Sequence, residues 1–212
     1  MLGSMRVLDL VAPLVPPECV ACAGWAGAAE PLCRVCRGRM RWLGSEVVGA
    51  VWAPVAYAGP ARSVVAALKF RGAVRVADAM AAAVVAGAPD GWLGAGSVLV
   101  PVPLHPARRR ARGFNQAERL ARAIGLRCGL PVADVLARGG SRATQMGRGR
   151  AERLAGIAGS VALRPDTPVP ARVVLVDDVV TTGATLAACS AVLRAAGALE
   201  VRAVAYARTP GR

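Results

Sequence analysis

Two consecutive aspartates directly follow a run of four apolar residues in the last quarter of the chain. The run covers residues 173–176, and Asp177 and Asp178 come next. A short apolar run is typical of a buried strand, and ligands in open α/β folds bind at the carboxyl edge of the sheet. Because neighbouring residues of a strand point to opposite faces, both carboxylates reach one ligand only if the chain turns here. We therefore expect the residues that follow, 181–185, to supply that turn and the two carboxylates to accept a diol.

The residues after the aspartates are rich in threonine and predict a phosphate-binding loop. Gly183 allows a close approach of the backbone to a ligand. The threonine hydroxyls and the free N–H groups at the start of a following helix suit a phosphate monoester. The residues expected to bind this phosphate are Thr181, Thr182, Gly183, Ala184 and Thr185. An ordinary N-capped helix after a core strand is the alternative, and it leaves two aspartates at a sheet edge unexplained.

Four cysteines near the amino terminus have the spacing of a metal site. They form two C-x2-C pairs that are separated by ten residues: Cys19, Cys22, Cys33 and Cys36. Each short pair can direct two thiolates to one ion, so the pattern predicts a closed structural zinc site. Redox thiols, or a site that no longer binds metal, are the alternatives. Cys128 and Cys189 lie in predicted helices and are expected to be buried and inert.

Length, composition and charge limit the classes of protein that this chain can belong to. With 212 residues, 55% of them hydrophobic, it can form one α/β domain with a small module and is not disordered. The net charge is +14, and residues 101–153 hold 12 arginines against three acidic residues. That field attracts phosphates, although a generally basic surface without a partner has the same composition. No apolar run is long enough to span a bilayer, and no stretch resembles a secretory signal, so we expect a cytoplasmic location.

Predicted strands and helices alternate along most of the chain. Apolar runs predict strands at residues 97–102, 173–176 and 201–206. Apolar periodicity and capping residues predict helices at residues 60–70, 74–85, 115–128 and 184–196. Such alternation indicates a parallel sheet flanked by helices. Arginine-rich loops are expected at residues 103–114 and 138–151. We expect a zinc module over residues 1–45 and an α/β domain over residues 46–212.

Together these motifs resemble the ComF family. Residues 173–186 resemble the ribose 5-phosphate fingerprint of type I phosphoribosyltransferases. The other segments that carry the resemblance are the paired cysteines, residues 68–72 (Leu-Lys-Phe-Arg-Gly), residues 100–105, residues 112–118 (Arg-Gly-Phe-Asn-Gln-Ala-Glu) and Gln145. Family members often carry Arg-x-x-Asn-x-x-Gly-Ala-Phe after this region, whereas Arg153 is followed here by Gly156 and Val161 at the Asn and Phe positions.

The resemblance implies a fold and a chemistry. The fold is α/β, a type I phosphoribosyltransferase-like parallel sheet flanked by helices, with a small N-terminal zinc module of four cysteines. The implied ligand is 5-phosphoribosyl diphosphate with Mg²⁺, with Asp177 and Asp178 as catalytic residues at the ribose hydroxyls. The implied diphosphate contacts are Lys69, Arg71, Pro103, Leu104, His105 and Arg112. The stretch around Gln145 is the implied lid.

Two of these residues allow a simpler interpretation. Lys69 is the single lysine of the chain, which indicates a need for a compact ammonium group, yet an ordinary solvated lysine at a helix end fits equally well. His105 is the single histidine, and we expect it to position the loop rather than to act as a general base.

Because the family is associated with natural competence, the resemblance also implies a role in uptake of single-stranded DNA together with a helicase-like translocase. A non-catalytic sensor of the same ligand and a single-stranded DNA-binding accessory factor are the alternative functions. For the latter, Trp25, Trp42 and Phe114 are the plausible stacking residues. The acceptor substrate and the oligomeric state are left open.

Overall fold

Helices and strands alternate in the computed structural model, which describes residues 18–27, 30–71, 74–139 and 161–210. The helices are α1 (Arg34–Gly38), α2 (Pro60–Arg71), α3 (Val74–Gly87), α4 (Pro106–Arg112), α5 (Gln116–Cys128) and α6 (Ala184–Ala195). The strands are β1 (Val47–Val48), β2 (Val51–Trp52), β3 (Val55–Ala56), β4 (Val98–Pro101), β5 (Leu136–Arg138), β6 (Val161–Leu163), β7 (Arg172–Val180) and β8 (Glu200–Arg208). The predicted α/β class is confirmed.

A mainly parallel sheet forms the centre of the fold. Its strand order is β1-β2-β8-β7-β4, with β3 pairing farther along β8. Strands β2, β3 and β7 run parallel to β8, and β4 runs parallel to β7, whereas β1 is antiparallel to β2. In the middle of the sheet, Val176 of β7 lies between Pro101 of β4 and Val204 of β8. The carboxyl ends of β4, β7 and β8 therefore meet at one edge.

Helices cover both faces of this sheet and make two hydrophobic cores. Val174 and Val176 of β7 belong to a core that also contains buried residues of α2, α3 and α5. Val173 and Leu175 belong to the opposite core, which contains buried residues of α6. This alternation along β7 is the two-residue periodicity of a strand that is buried on both faces.

The cysteine-containing segment packs onto the α2–α3 side of the sheet. Leu32 and Met40 are buried in the same core as α2 and α3. Trp42 forms an antiparallel bridge with Val55, and the Leu43 N–H donates to the Pro54 carbonyl over 2.9 Å. The predicted domain boundary at residue 45 stays a prediction.

A capped corner joins α4 to α5 and brings arginines close to the end of β4. The prediction of an irregular loop over residues 103–114 is wrong, because residues 106–112 form α4. Gly113 ends α4 in the left-handed region, with φ of 76°, a conformation that glycine adopts without strain. Asn115 caps α5 by accepting from the Ala117 N–H over 3.1 Å, and its Nδ2 donates to the Val102 carbonyl over 3.0 Å.

The predicted loop over residues 138–151 falls mostly outside the described residues. Arg138 ends β5, which pairs antiparallel with β6. Among the helices of the described residues, none is long and apolar enough to cross a membrane.

Candidate functional site

Strand β7 continues through the two aspartates and ends only at Val180. The turn expected from the residues after the aspartates follows Val180, where the chain bends at residues 181–183 before α6. The alternation of faces seen at residues 173–176 does not persist to the end of the strand. Val179 packs against the core that contains Val176, whereas Val180 lies in the opposite core. Val179 and Val180 still pair with Ala207 and Arg208 of β8, which explains why the strand persists.

The carboxylate of Asp178 lies on the side of α2 and α5 and is buried. The residue is only 3% exposed, so its carboxylate is shielded from solvent. Its Oδ2 lies 2.8 Å from the Lys69 Nζ of α2, and its Oδ1 accepts from the Gln116 Nε2 of α5 over 3.3 Å. Oδ2 is buried and has no hydrogen-bond donor of suitable geometry among the described residues. Asp178 is thus held by a charge contact at one oxygen and by an amide at the other.

Asp177 occupies a different environment and is half-buried. Its Oδ1 accepts from the backbone N–H of Asp178 over 2.8 Å. Burial raises the pKa of Asp177 well above its usual range, and the negative charge of Asp178 raises it further, while the charge of Lys69 opposes both. The two carboxylates therefore resist being ionised at the same time unless a cation lies between them.

Both aspartates border a small polar cavity at the carboxyl edge of the sheet. Its volume is about 170 Å³. Its walls come from several segments that are distant in the sequence, and they combine basic side chains with the two aspartates. The lining residues are Lys69, Val102, Pro103, Leu104, Arg108, Arg112, Gln116, Arg138, Asp177, Asp178, Val179 and Thr185. The predicted residues Lys69, Pro103, Leu104 and Arg112 are brought together here with Asp177 and Asp178.

The threonine-rich loop separates this cavity from a larger one. Thr181 and Thr182 are exposed, and the Thr182 Oγ1 accepts from the Ala184 N–H over 3.4 Å. Gly183 has φ of 75°, so that the chain can reverse directly into α6. Residues 181–184 line a cavity of about 410 Å³, whose other walls are mainly apolar residues of β2, β8 and α6. Since Thr185 lines the small cavity, both cavities reach the first turn of α6.

Two predicted diphosphate contacts lie elsewhere or cannot be placed. His105 is the N-cap of α4, where its Nδ1 accepts from the Ala107 N–H over 3.2 Å, and it does not line the small cavity. The side chain of Arg71 lies outside the described residues.

The motifs in the sequence assign no separate role to Gln116, which lines the small cavity and contacts two of its charged residues. It is 6% exposed, and its Oε1 accepts from Arg112 over 3.1 Å while its Nε2 donates to Asp178. The signal was present in the sequence, because Arg112 and Gln116 are four residues apart across a predicted helix cap. Arg108 lines the cavity as well.

The four N-terminal cysteines form a compact cluster. The Sγ atoms of Cys19, Cys22, Cys33 and Cys36 all lie within 4.8 Å of one another, close to the separation of thiolates around a tetrahedral ion. The Cys36 N–H donates to the Cys33 Sγ over 3.4 Å, an arrangement that stabilises a thiolate. Burial alone would raise the pKa of Cys19, yet backbone hydrogen bonds within the knuckles lower it to about 6. The donor set fits a metal such as zinc.

Cys128 and Cys189 differ from these four. Burial raises the pKa of Cys128, and burial together with the charge of Asp177 raises the pKa of Cys189 to about 12. Both thiols are therefore protonated at neutral pH, as expected for inert cysteines.

Comparisons with known proteins agree with the resemblance seen in the sequence. Residues 110–212 match the family described as phosphoribosyl transferase domain. Competence protein ComFC of Streptococcus pneumoniae is 35% identical over 109 residues, which cover 51% of this chain and 47% of that protein. Competence protein F of Haemophilus influenzae is 34% identical over 113 residues, which cover 52% of this chain and 49% of that protein. The matched region spans about half the length of these curated relatives.

Solved structures of phosphoribosyltransferases are similar at low identity. Orotate phosphoribosyltransferase from Aeropyrum pernix has a TM-score of 0.40 and 20% identity, over 80% of this chain and 75% of that one. A hypoxanthine phosphoribosyltransferase from Staphylococcus aureus has a TM-score of 0.35 and 14% identity, over 65% of this chain and 63% of that one.

Replacing the two aspartates singly should change stability in opposite directions. Folding raises the pKa of the Asp177 carboxyl above its ordinary value of 3.8. Such a group increasingly destabilises the native state as the pH rises from that ordinary pKa to the raised one. We expect Asp177→Asn to raise the thermal midpoint at pH 7 by about 2–4 °C, and to have no effect below about pH 4. Asp178→Asn should lower the free energy of unfolding by about 1–3 kcal/mol, because Lys69 loses its anionic partner. Calorimetry between about pH 4 and pH 7 tests both variants. If both substitutions changed the stability in the same direction at pH 7, the environments assigned to the two aspartates would be wrong.

The cysteine cluster should hold one metal ion per chain. We expect about one zinc by elemental analysis of protein prepared without chelator, and well under half of that in Cys36→Ser. Cys128→Ser is the matched control and should keep its zinc. Metal removal should lower the thermal midpoint, since Cys19 and Cys36 are part of the core shared with α2 and α3. Full stability and an unchanged zinc content in Cys36→Ser would rule out this site.

Proposed function

We propose, from the premise that the chain belongs to the ComF family of phosphoribosyltransferase-like proteins, that it binds 5-phosphoribosyl diphosphate with Mg²⁺ and transfers its phosphoribosyl group. The observation that carries this proposal is the small cavity at the edge of the sheet. It combines an acidic pair with the cations Lys69, Arg108 and Arg112, next to the threonine-rich loop. A ligand with a diol between two phosphate-bearing ends is complementary to that combination of charges.

The two cavities together offer room for such a ligand, with volumes of about 410 and 170 Å³. A cavity of 170 Å³ is small for a sugar phosphate, since ligand sites usually occupy about 300–1,000 Å³. The ligand would therefore span both cavities across the first turn of α6. Its 5-phosphate would lie at residues 181–185, where N–H groups and hydroxyls are available.

The acidic pair has the donor set for a hard divalent cation. Asp177 and Asp178 offer carboxylate oxygens, and the buried Asp178 Oδ2 already lies 2.8 Å from one cation, the Lys69 Nζ. Mg²⁺ prefers oxygen ligands and usually retains several waters. These two residues would hold the ion, directly or through its waters. When bound, Mg²⁺ would neutralise charge on the diphosphate leaving group.

In the proposed reaction a nucleophilic atom of the acceptor bonds to C1 of the ribose as the bond from C1 to diphosphate breaks, and the protein acts by positioning and charge. Asp177 and Asp178 would hold the ribose hydroxyls and face the positive charge that develops at C1 in the transition state. Arg112 would bind the diphosphate as it departs. Lys69 is paired with Asp178 over 2.8 Å, so it has to exchange this carboxylate for the diphosphate when the ligand binds.

Donor binding should depend on the acidic pair. We expect the double variant Asp177→Asn with Asp178→Asn to lose at least about tenfold in affinity for 5-phosphoribosyl diphosphate, because the hydroxyls and the cation lose their charged acceptors. Titration calorimetry with Mg²⁺ measures the loss, and release of diphosphate in the presence of candidate acceptors measures catalysis.

The matched control for this experiment is Asp90→Asn, which removes one exposed carboxylate in the turn after α3. Unchanged donor affinity in the double variant would rule out the site. Donor binding without diphosphate release under any acceptor would support the sensor alternative.

A second function, binding of single-stranded DNA during competence, is favoured by the surface of the cysteine-containing segment. Trp25 is 73% exposed and Trp42 is 56% exposed. Exposed arginines lie within and just after the second cysteine pair, at positions 34, 37, 39 and 41. Aromatic platforms beside cations are typical of single-strand binding. Phe114 is less available, because Arg119 stacks on its ring at 3.8 Å. In that role a helicase-like translocase would be the protein partner.

Trp42→Ala should lower affinity for a single-stranded oligonucleotide about tenfold, since one stacked base contributes about 1–3 kcal/mol. Arg39→Gln should reduce the slope of log affinity against log salt by about 0.7. Leu126→Ala is the matched control, because Leu126 is an 88% exposed apolar residue of α5. Fluorescence anisotropy at several salt concentrations provides the measurement. Equal affinity in Trp42→Ala and wild type would exclude this surface.

A further inference from the structure

Gln116 is a buried amide that contacts one member of the acidic pair and one member of the cation group. Its Oε1 lies 3.1 Å from Arg112 Nη1, and its Nε2 lies 3.3 Å from Asp178 Oδ1. Asp178 in turn lies 2.8 Å from Lys69. A continuous chain of polar contacts therefore runs from α2 through β7 and α5 to α4, along one wall of the small cavity.

The backbone around Gln116 is fixed by contacts that do not involve the ligand site. Asn115 joins the start of α5 to the end of β4 through the Val102 carbonyl. Gly113 closes α4 by donating its N–H to the Arg109 carbonyl over 2.8 Å. The stretch from Arg112 to Gln116 thus forms a corner of fixed shape. An amide at the first position of α5 has little freedom to leave its two partners.

The chemistry of the two partners requires an uncharged side chain with one donor and one acceptor. A glutamate at position 116 could accept from Arg112 and would suit the helix N-terminus. However, it would place a third carboxylate beside Asp178 and Asp177, where burial and mutual repulsion already disfavour ionisation. An aliphatic residue would satisfy neither partner. Glutamine can hold a cation and an anion at the same time, because its amide presents N–H and C=O in one plane.

We propose that Gln116 is a positioning residue that couples Arg112 to Asp178, and thereby fixes the distance between the diphosphate subsite and the ribose subsite. This inference depends on the proposed function, because it assigns a role within that same site. Through Gln116, ordering of Arg112 by a diphosphate orders Asp178 for the ribose and its cation. Loss of the amide leaves both charged groups in place and removes the connection between them.

Double-mutant cycles on donor binding test this coupling directly. The measured quantity is the affinity for 5-phosphoribosyl diphosphate with Mg²⁺, by titration calorimetry. We expect Gln116→Met to weaken donor binding about tenfold. The loss of donor affinity caused by Arg112→Met, and that caused by Asp178→Asn, should each be at least about threefold smaller when Gln116→Met is already present. Residues that act independently give additive losses instead.

The isosteric variant Gln116→Glu separates the two contacts. It keeps the acceptor for Arg112 and replaces the donor to Asp178 by a like charge. In the Gln116→Glu background, Arg112→Met should therefore cost as much donor affinity as it does in wild type. Asp178→Asn should cost less donor affinity in that background than in wild type. A purely structural role predicts no such difference. Thermal midpoints confirm that each variant is folded, and Arg122→Met, an exposed position of the same helix, is the control.

Several outcomes would overturn the inference. Additive losses within a factor of about two, or wild-type affinity in both Gln116 variants, remove the coupling while leaving the donor site intact. A wild-type protein without measurable donor affinity removes the proposed function, and the role of Gln116 with it.

Discussion

The contact between Lys69 and Asp178 joins the end of the central strand to helix α2, and the arrangement of the site depends on it. Strand β7 places a carboxylate on the buried side of the sheet edge, where an isolated charge would be costly. Lys69 supplies the compensating charge, and Gln116 supplies a hydrogen bond to the other oxygen. Replacing a buried ion pair by apolar residues is often neutral or stabilising. The presence of such a pair in a sheet made mainly of valine and alanine therefore agrees better with a ligand site than with a purely structural one.

The apolar sheet explains why charged groups gather at its edge. Strands β4, β7 and β8 are mostly buried, and the acidic pair lies in β7 shortly before its carboxyl end. Helices α2, α4 and α5 all bring polar residues to this edge: Lys69, Arg112 and Gln116 respectively. With cations already close to the acidic pair, an incoming anion can exchange partners with them, and the chain needs no large rearrangement to form a charged site.

The cysteine-containing segment and the α/β domain share a hydrophobic core. Cys19 and Cys36 are buried together with residues of α2 and α3. Metal binding at the cysteines would therefore stabilise the same core that carries Lys69 on α2. The exposed tryptophans lie outside this core, on a surface that is separate from the small cavity.

Local patterns in the sequence determined the elements and most of the chemistry. Four apolar residues before Asp177 indicated the central strand, the capping residue Asn115 marked the start of α5, and the cysteine spacing indicated the cluster. These features depend on residues near one another in the chain, where propensity and periodicity act directly. The resemblance of residues 173–186 to a known fingerprint also required only the order of the residues.

The tertiary structure decided the environment of each charged group. The pairing of β7 with β8 extends the strand through both aspartates to Val180, so the chain turns only at the threonine-rich loop. Burial of Asp178 depends on α2 and α5, which are distant in sequence, and so do its contacts with Lys69 and Gln116. Pairing, burial and pKa shifts arise from groups that only folding brings together, and for this physical reason no local pattern contained them.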